Sequence, residues 1–597
     1  MTLAHRRART ALPAAVAALA LGGAVLTAVP AQAAETPRPA VELPAPEVAS
    51  KAELKKRAEG ALNALPKDTK QDEGASEAPK TPKSSTSPNG ADPKIIGGVD
   101  TPAGAAPWMV QLYGVDKATG EGFFCGGTLI APAKVLTAAH CVHGADWGTS
   151  GAVVAGATQR ASEDANGNWQ FHGGLLAVPK RAWLNPAYND AAIRGDVAVL
   201  TLDRPMPFKT LPIAAPTDTA SYKPGTKGTV YGWGRTSGTP GSAGSETLKQ
   251  ASLKIQPDAS CPGWADAKDT FVAGQMFCAG EPATGSDAGT VSPCNGDSGG
   301  PLVVGGRVVG IVSWGVRNCI AAGALSVFTK VSTFTPQVAS VVDDANLTDD
   351  NKADVIARKT NYNTYIYRSR GTSLGLHESL GVWNNVNVIR QGDLNKDANQ
   401  DIVFRTPAGE LYWARYEWRG ESIGYEWTET RIGVGWSGFK DITIPGDLNQ
   451  DGNPDLIAKD SSGNLWMWGG RGNGSFAAKV KIGVGWSSYA VYGKGDYSGD
   501  GKPDIITRDT ANRLWMYKGT GHPTAPISGR VLVGKGWNFN AFVTTGDLTG
   551  DNKADFLVRD SAGSMWAYKG TGNATTPFAT AAKVKMGVGF TSFNLFG

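Results

Sequence analysis

Between residues 95 and 342 the apolar residues come in short runs rich in β-branched side chains. Among them are "APWMVQLY", "GGTLIAPAKVLTAAH", "DVAVLTL" and "RVVGIVSW", each bounded by Gly, Pro, Asn or Asp. Such runs predict strands. One short helix is expected, at "TPQVASVV". Beyond Asp343 the alternation becomes periodic: "GDLNKDANQDIVFR", "GDLNQDGNPDLIAK", "GDYSGDGKPDIITR" and "GDLTGDNKADFLVR" align, after a weaker first copy, "ANLTDDNKADVIAR". Their leading positions, Asn346, Asp393, Asp447, Asp496 and Asp547, lie 47, 54, 49 and 51 residues apart. An aromatic strand follows each copy ("YIY", "LYW", "LWMW", "LWMY", "MWAY"), and then "GVW", "GVGW", "GVGW", "GKGW" or "GVGF". A period of about 50 residues with several short strands per unit predicts propeller blades. The chain ends on "GVGFTSFNLFG", the opening half of a repeat, whereas the first copy has an acidic half and no such opening. Joining the two ends would complete a fifth blade and close the ring without a free sheet edge.

The N-terminus breaks this pattern. His5, Arg6, Arg7 and Arg9 precede an apolar run from Ala11 to Val29, and Ala31-Gln32-Ala33 offers a small-x-small cleavage site. Residues 1–33 are therefore expected to be a signal peptide, removed on export, and not a membrane anchor. A secreted, extracellular, monomeric protein without membrane partners follows. Residues 34–94 hold nine prolines, much Lys, Glu, Ala and Ser, and no aromatic residue or cysteine. They are expected to form a disordered propeptide, in which only Lys51 to Leu65 has helical capacity.

A length of 597 residues calls for more than one domain. The net charge of +4, from 58 Lys plus Arg against 54 Asp plus Glu, comes without a long basic stripe outside the N-terminus, so nucleic acid is not expected as a partner. The six cysteines, Cys125, Cys141, Cys261, Cys278, Cys294 and Cys319, all fall within the first strand-rich region. An even number in an exported chain predicts three bridges, for which sequence alone permits fifteen pairings.

The stretch "CNGDSGGPLV", residues 294–303, sets an acid and a hydroxyl among three glycines. Read alone it is a turn. A serine hydroxyl becomes a nucleophile when a base takes its proton, and "LTAAHC" supplies His140 while "GDVAVLTL" supplies Asp196 to hold the imidazole. The order His140, Asp196, Ser298 suits a cleft between two β-barrels. Together, "TAAHC", "GDVAVL" and "GDSGGPL" resemble the trypsin and chymotrypsin family of serine endopeptidases over residues 95–342. That resemblance implies a chymotrypsin-like double β-barrel, an all-β fold, acting on protein or peptide substrates without a cofactor. It implies the pairs Cys125–Cys141, Cys261–Cys278 and Cys294–Cys319, and an oxyanion hole formed by the N–H groups of Gly296 and Ser298. The "SWG" at Ser313 to Gly315 resembles the strand that pairs with substrate backbone.

The resemblance also implies a zymogen. Cleavage between Lys94 and Ile95, at "KIIGG", by a separate activating protease would free an ammonium to pair with Asp297. The specificity pocket maps to Ser292, Gly315 and Ser326, none of them an acid, so apolar or aromatic residues are expected before the scissile bond. The alternative is that Asp287 reaches the pocket and restores a preference for basic residues.

The repeats offer oxygen ligands at alternate positions. The sets are Asn346, Thr348, Asp350 and Asp354; Asp393, Asn395, Asp397 and Asp401; Asp447, Asn449, Asp451 and Asp455; Asp496, Ser498, Asp500 and Asp504; and Asp547, Thr549, Asp551 and Asp555. Hard oxygens in a short loop suit Ca2+. The loops look like those of integrin-type FG-GAP or VCBS repeats, and the expected propeller covers residues 343–597. Asn346 should make the first site weakest. The propeller is expected to dock substrate or a surface. A rival reading makes it a lectin, with glycan pockets lined by the "GVGW" aromatics and proteolysis accessory; core packing is the expected role for most of these rings.

Overall fold

The computed structural model describes residues 41–66, 95–262 and 270–597; the expected signal peptide and Lys94 lie outside them. The expectation of disorder over 34–94 does not hold for 41–66. Residues 41–50 run extended into helix α1, Lys51–Asn63. Ser50 caps α1 by accepting the Glu53 N–H, and Leu54, Ala58, Ala61 and Leu62 recur on one face and are buried. The segment has no core of its own. It folds by lending its apolar face to others: Ala61 and Leu62 pack with Tyr113, Val154 and Ala157, while Val41 and Leu43 pack with Ile356, Trp383 and Tyr416.

Residues 95–342 form two seven-stranded sheets, the halves of a double barrel. The first runs Leu175–Ala177, Ala152–Ala155, Met109–Val115, Gly122–Ala131, Lys134–Thr137, Ala198–Leu202 and Pro179–Leu184; the second runs Val99–Asp100, Lys249–Lys254, Lys227–Gly232, Pro301–Val304, Arg307–Trp314, Ser326–Lys330 and Met276–Ala279. Helix α2, Val331–Val342, closes this half and starts four residues before the expected "TPQVASVV". Pro336 reads as a helix start, but burial of Val331, Phe334, Val338 and Val341 carries the helix upstream of it. All six cysteines are bridged, as Cys125–Cys141, Cys261–Cys278 and Cys294–Cys319.

Five four-stranded sheets follow, a five-bladed propeller. The C-terminal strand Phe593–Phe596 pairs with Val355–Lys359 of the first blade, so the chain ends close the ring as the half-repeats predicted. The rings of Trp436, Trp486, Trp537 and Phe590 are 4–8% exposed and fill the spaces within and between blades. The last residue of each acidic repeat has a structural task of its own. Arg405 donates to the Trp436 and Phe439 carbonyls, Arg508 to Trp537 O, Arg559 to Phe590 O and Arg358 to Trp383 O, while Lys459 reaches Tyr489 O. Each cation thereby fastens the crossing into the next blade.

The acidic loops face the double barrel. Trp183 Nε1 donates to Asn552 Oδ1 at 2.7 Å, Asn351 Nδ2 donates to Ala182 O at 3.2 Å and Lys180 pairs with Asp349 at 3.2 Å. Buried Arg204 joins three parts of the chain, pairing with Asp203 and with Glu421 of the second blade and donating to Ala49 O. Among the described residues no helix is long and apolar enough to cross a membrane.

Replacing Arg405 with alanine should remove three charge-assisted bonds, to Asn387 Oδ1 and to the Trp436 and Phe439 carbonyls, at a cost of about 1.5–3 kcal/mol. The propeller melting transition in calorimetry should fall by roughly 3–10 °C, with the double-barrel transition unmoved.

Candidate active site

His140 lies in a single helical turn, Ala139–Cys141, pinned by the Cys125–Cys141 bridge. Asp196 sits just before the buried strand Ala198–Leu202. The two meet twice: His140 Nδ1 lies 2.9 Å from Asp196 Oδ2, and the His140 amide donates to Asp196 Oδ1 at 2.9 Å. The second barrel grips the same acid. Ser313 Oγ donates to Asp196 Oδ2 at 2.6 Å and Thr329 Oγ1 to the Asp196 carbonyl at 2.7 Å. Asp196 is thus a joint between the barrels as well as a partner of His140. Ser313 had been read only as part of the substrate-pairing strand, and nothing in the sequence marks its hydroxyl for this contact.

Ser298 is placed by close backbone approach. The Gly126 amide donates to Ser298 O at 2.8 Å, and Thr137 Oγ1, three residues before His140, donates to Gly126 O at 2.9 Å. At Gly299, with φ +79°, a Cβ would sit 2.2 Å from Thr137 Oγ1 and 2.4 Å from Gly126 O, so only glycine brings this loop against the His140 strand. Ser298, Gly296, Ser292, Gly315 and Ser326 line one cavity of about 1000 Å³. At its base Ser292 Oγ and Ser326 Oγ are 2.9 Å apart. Asp287 is occupied elsewhere, accepting from Ser237 Oγ at 2.6 Å and from the Gly238 amide at 2.7 Å, and it is not on the cavity wall.

Burial opposes charge on both members of the pair, and their contact overcomes it. Desolvation lowers the His140 pKa, yet the Asp196 charge and hydrogen bond leave it above the ordinary 6.5; desolvation raises Asp196, yet His140 and Ser313 hold it below 3.8. The raised His140 pKa makes the contact stabilising below about pH 6.5, and this is lost as pH rises through the raised value. The lowered Asp196 pKa makes it stabilising above about pH 3.9, and this is lost as pH falls through the lowered value. Among the described residues no cation partners the Asp297 carboxylate. It is fully buried, accepts the Gly234 amide at 2.7 Å and the Cys294 amide at 2.8 Å, and is pushed up to about 7 by burial. Ile95 is fully buried in the core of the second barrel, and Ile96 bridges to Ser292.

A trypsin family model matches residues 95–338, and an FG-GAP-like repeat model matches residues 447–507 and 496–558. A trypsin of Saccharopolyspora erythraea is 36% identical over 241 residues, which is 40% of this chain and 94% of the relative. The chain belongs to the trypsin family. "Trypsin 5G1" of Aedes aegypti is also similar, 34% identical over 250 residues, covering 42% of this chain and 85% of that protein. This trypsin-family chain is a serine endopeptidase.

Of the acidic sets that the repeats offer, one trio converges among the described residues of the propeller. Carboxylate oxygens of Asp496, Asp500 and Asp504 lie within 4.8 Å of one another. Burial pushes Asp447, Asp455, Asp504 and Asp555 up to about 7, and Asp547 up to about 6. Asp393 and Asp401 are driven well above the carboxylate range by burial and by the charge of Asp397. The Thr549 hydroxyl is buried in its loop without a partner. Crowded buried oxygens of this kind fit a hard divalent cation. Some of these carboxylates also have cationic partners: Asp350 of the first loop pairs with Arg368 at 2.9 Å and Lys352 at 3.5 Å, and Asp500 of the fourth with Lys518 at 3.3 Å and Lys502 at 3.7 Å.

Asp196→Asn should lower the His140 titration midpoint measured by imidazole NMR. In the native enzyme the acid limb of kcat/KM should have its midpoint above the ordinary histidine value of about 6.5, because catalysis needs the neutral base.

Proposed function

We propose that the chain is an exported endopeptidase zymogen whose peptide-bond chemistry is carried by His140, Asp196 and Ser298. The supporting observation is the double contact of His140 with Asp196, joined through Thr137 and Gly126 to the loop that carries Ser298. Ser298 Oγ attacks the scissile carbonyl while His140 takes its proton; His140 then returns the proton to the leaving amine, and water resolves the acyl-enzyme by the same route. Asp196 fixes the imidazole and stabilises its charged form. The N–H groups of Gly296 and Ser298 receive the oxyanion. Activation is cleavage after Lys94, which supplies the Ile95 ammonium that Asp297 lacks. Three disulfides suit an oxidising destination.

Specificity follows from Ser292, Gly315 and Ser326. Two hydroxyls that bond to each other leave an entering lysine ammonium without a counter-charge. Apolar and aromatic residues are therefore preferred before the scissile bond, and an activator accepting lysine is a different enzyme. The acidic loops hold Ca2+, which supplies the positive charge that their carboxylates need; the first loop, with Asn346 and the Arg368–Asp350 pair, is the weakest. With the metal loops turned toward the protease, antiparallel alternation puts the "GVGW" crossings on the other face. There Val382, Val434, Val484 and Val588 are 51–70% exposed, and this is the face with which the propeller docks substrate or a surface. The "GVGW" aromatics are core residues, which disfavours the lectin reading.

Ser298→Ala in the activated enzyme should lose activity by several orders of magnitude without a change in melting. On the native enzyme, phenylalanyl and leucyl substrates should exceed lysyl ones by about 100-fold or more in kcat/KM; a lysyl preference would refute the pocket assignment. A chelator should lower the propeller transition by several degrees and the disulfide-bonded protease transition by less.

A further inference from the structure

Cleavage after Lys94 severs one peptide bond and none of the contacts made by residues 41–66. Those contacts are specific and span the molecule. At one end Val41 and Leu43 are buried against the first two blades, and Tyr416 donates its hydroxyl to Leu43 O at 2.9 Å. In the middle the Ala49 amide donates to Asp203 Oδ2 at 3.0 Å, and Arg204 reaches Ala49 O. Along α1 the Arg57 guanidinium donates to Trp147 O at 2.7 Å and Gly151 O at 3.0 Å, and Trp169 Nε1 donates to Asn63 Oδ1 at 3.0 Å. Past the helix the Gly122 amide donates to Ala64 O at 2.8 Å.

The protease surface is shaped for this passage. A Cβ on Gly122 would lie 2.7 Å from Ala61 O and 2.7 Å from Leu65 N, so the strand approaches the helix end only because it has no side chain there. The next described residue, Pro66, lines the same cavity as Ser298, on the wall formed by Gly122 and Phe123 of the first barrel. Ser292, Gly315 and Ser326, from the second barrel, line the same cavity. With the residue before the scissile bond in that pocket, the departing part of a substrate runs along the first-barrel wall, past Pro66.

We propose that residues 41–66 stay bound after activation as a noncovalent component of the mature enzyme, clasping propeller to protease and narrowing the leaving-group side of the cleft. The proposal rests on the reading that activation is a cut after Lys94. Short leaving groups pass freely. Chains extending several residues beyond the scissile bond collide with the Ala64–Pro66 end, so the clasp selects for substrates with a short or flexible tail there.

The test uses the proenzyme with residues 90–94 replaced by the recognition sequence of a highly selective protease, so that the cut does not depend on the natural activator. After cleavage, native size-exclusion chromatography followed by intact mass measurement should find the released segment with the enzyme at one to one. Separation of the segment from a correctly cut enzyme would overturn the clasp, and this readout holds whether or not the cut confers activity. Arg57→Ala with Leu62→Asp, both within the segment removed, should release it. Release should raise kcat/KM for peptides with three or more residues after the scissile bond about tenfold and change a p-nitroanilide substrate by less than about twofold. Equal changes on both substrates would refute the narrowing of the leaving-group side. Failure of the cut enzyme to act on any substrate, with the segment still bound, would refute the activation reading and leave the clasp standing.

Discussion

A carboxylate removed from water needs a positive partner, a set of N–H donors or a proton, and much of this molecule is arranged around that demand. Asp196 meets it with His140, Ser313 and the His140 amide, and in doing so joins the two barrels at the cleft. Asp203 meets it with Arg204, whose remaining donors reach Glu421 and Ala49 O and so tie the propeller, the protease and residues 41–66 to one buried cation. Asp297 meets it only in part. Two amide donors leave its pKa near 7, and the missing charge is what the proposed new N-terminus supplies. The propeller loops repeat the problem: buried carboxylates such as Asp393 and Asp401 crowd together, while lysine or arginine partners reach others, Asp350 and Asp500 among them.

The two halves are consequently parts of one assembly. Helix α2 runs directly into the first repeat, where Asp343 takes Lys494 and Asp344 takes Arg181. Lys134, buried in the first barrel, donates to the carbonyl of Val341 at the end of the helix. Gly501 of the fourth acidic loop has no room for a Cβ, which would fall 2.2 Å from Pro216 of the protease. The fourth acidic loop thus packs directly on the protease.

Much of this was legible in the sequence because the signals are local or periodic. Ser298 is fixed by glycines that no other residue replaces, so "GDSGGP" carries its own geometry. The closing of the ring could be read because the half-repeats at the two ends are complementary. Contacts between distant segments were not legible. The face Leu54, Ala58, Ala61 and Leu62 marked a helix but not the surface it would find, and prolines and charge made the region look incapable of folding. Ser313 and Thr329 bond to Asp196 through hydroxyls that look like any others in a strand. Arg358, Arg405, Lys459, Arg508 and Arg559 stood in plain view at the end of every repeat, and their targets, carbonyls of the following crossing, have no sequence signature.

On the proposed function, Ser298 becomes a competent nucleophile when a cut after Lys94 gives Asp297 its missing charge. The most direct measurement is labelling with an organic fluorophosphonate before and after that cut, with the modified residue located by peptide mass mapping. The account predicts slow, substoichiometric labelling of the intact chain and stoichiometric labelling of Ser298 once the Ile95 N-terminus is free. Equal labelling before and after the cut, or a label on any other serine, would contradict it.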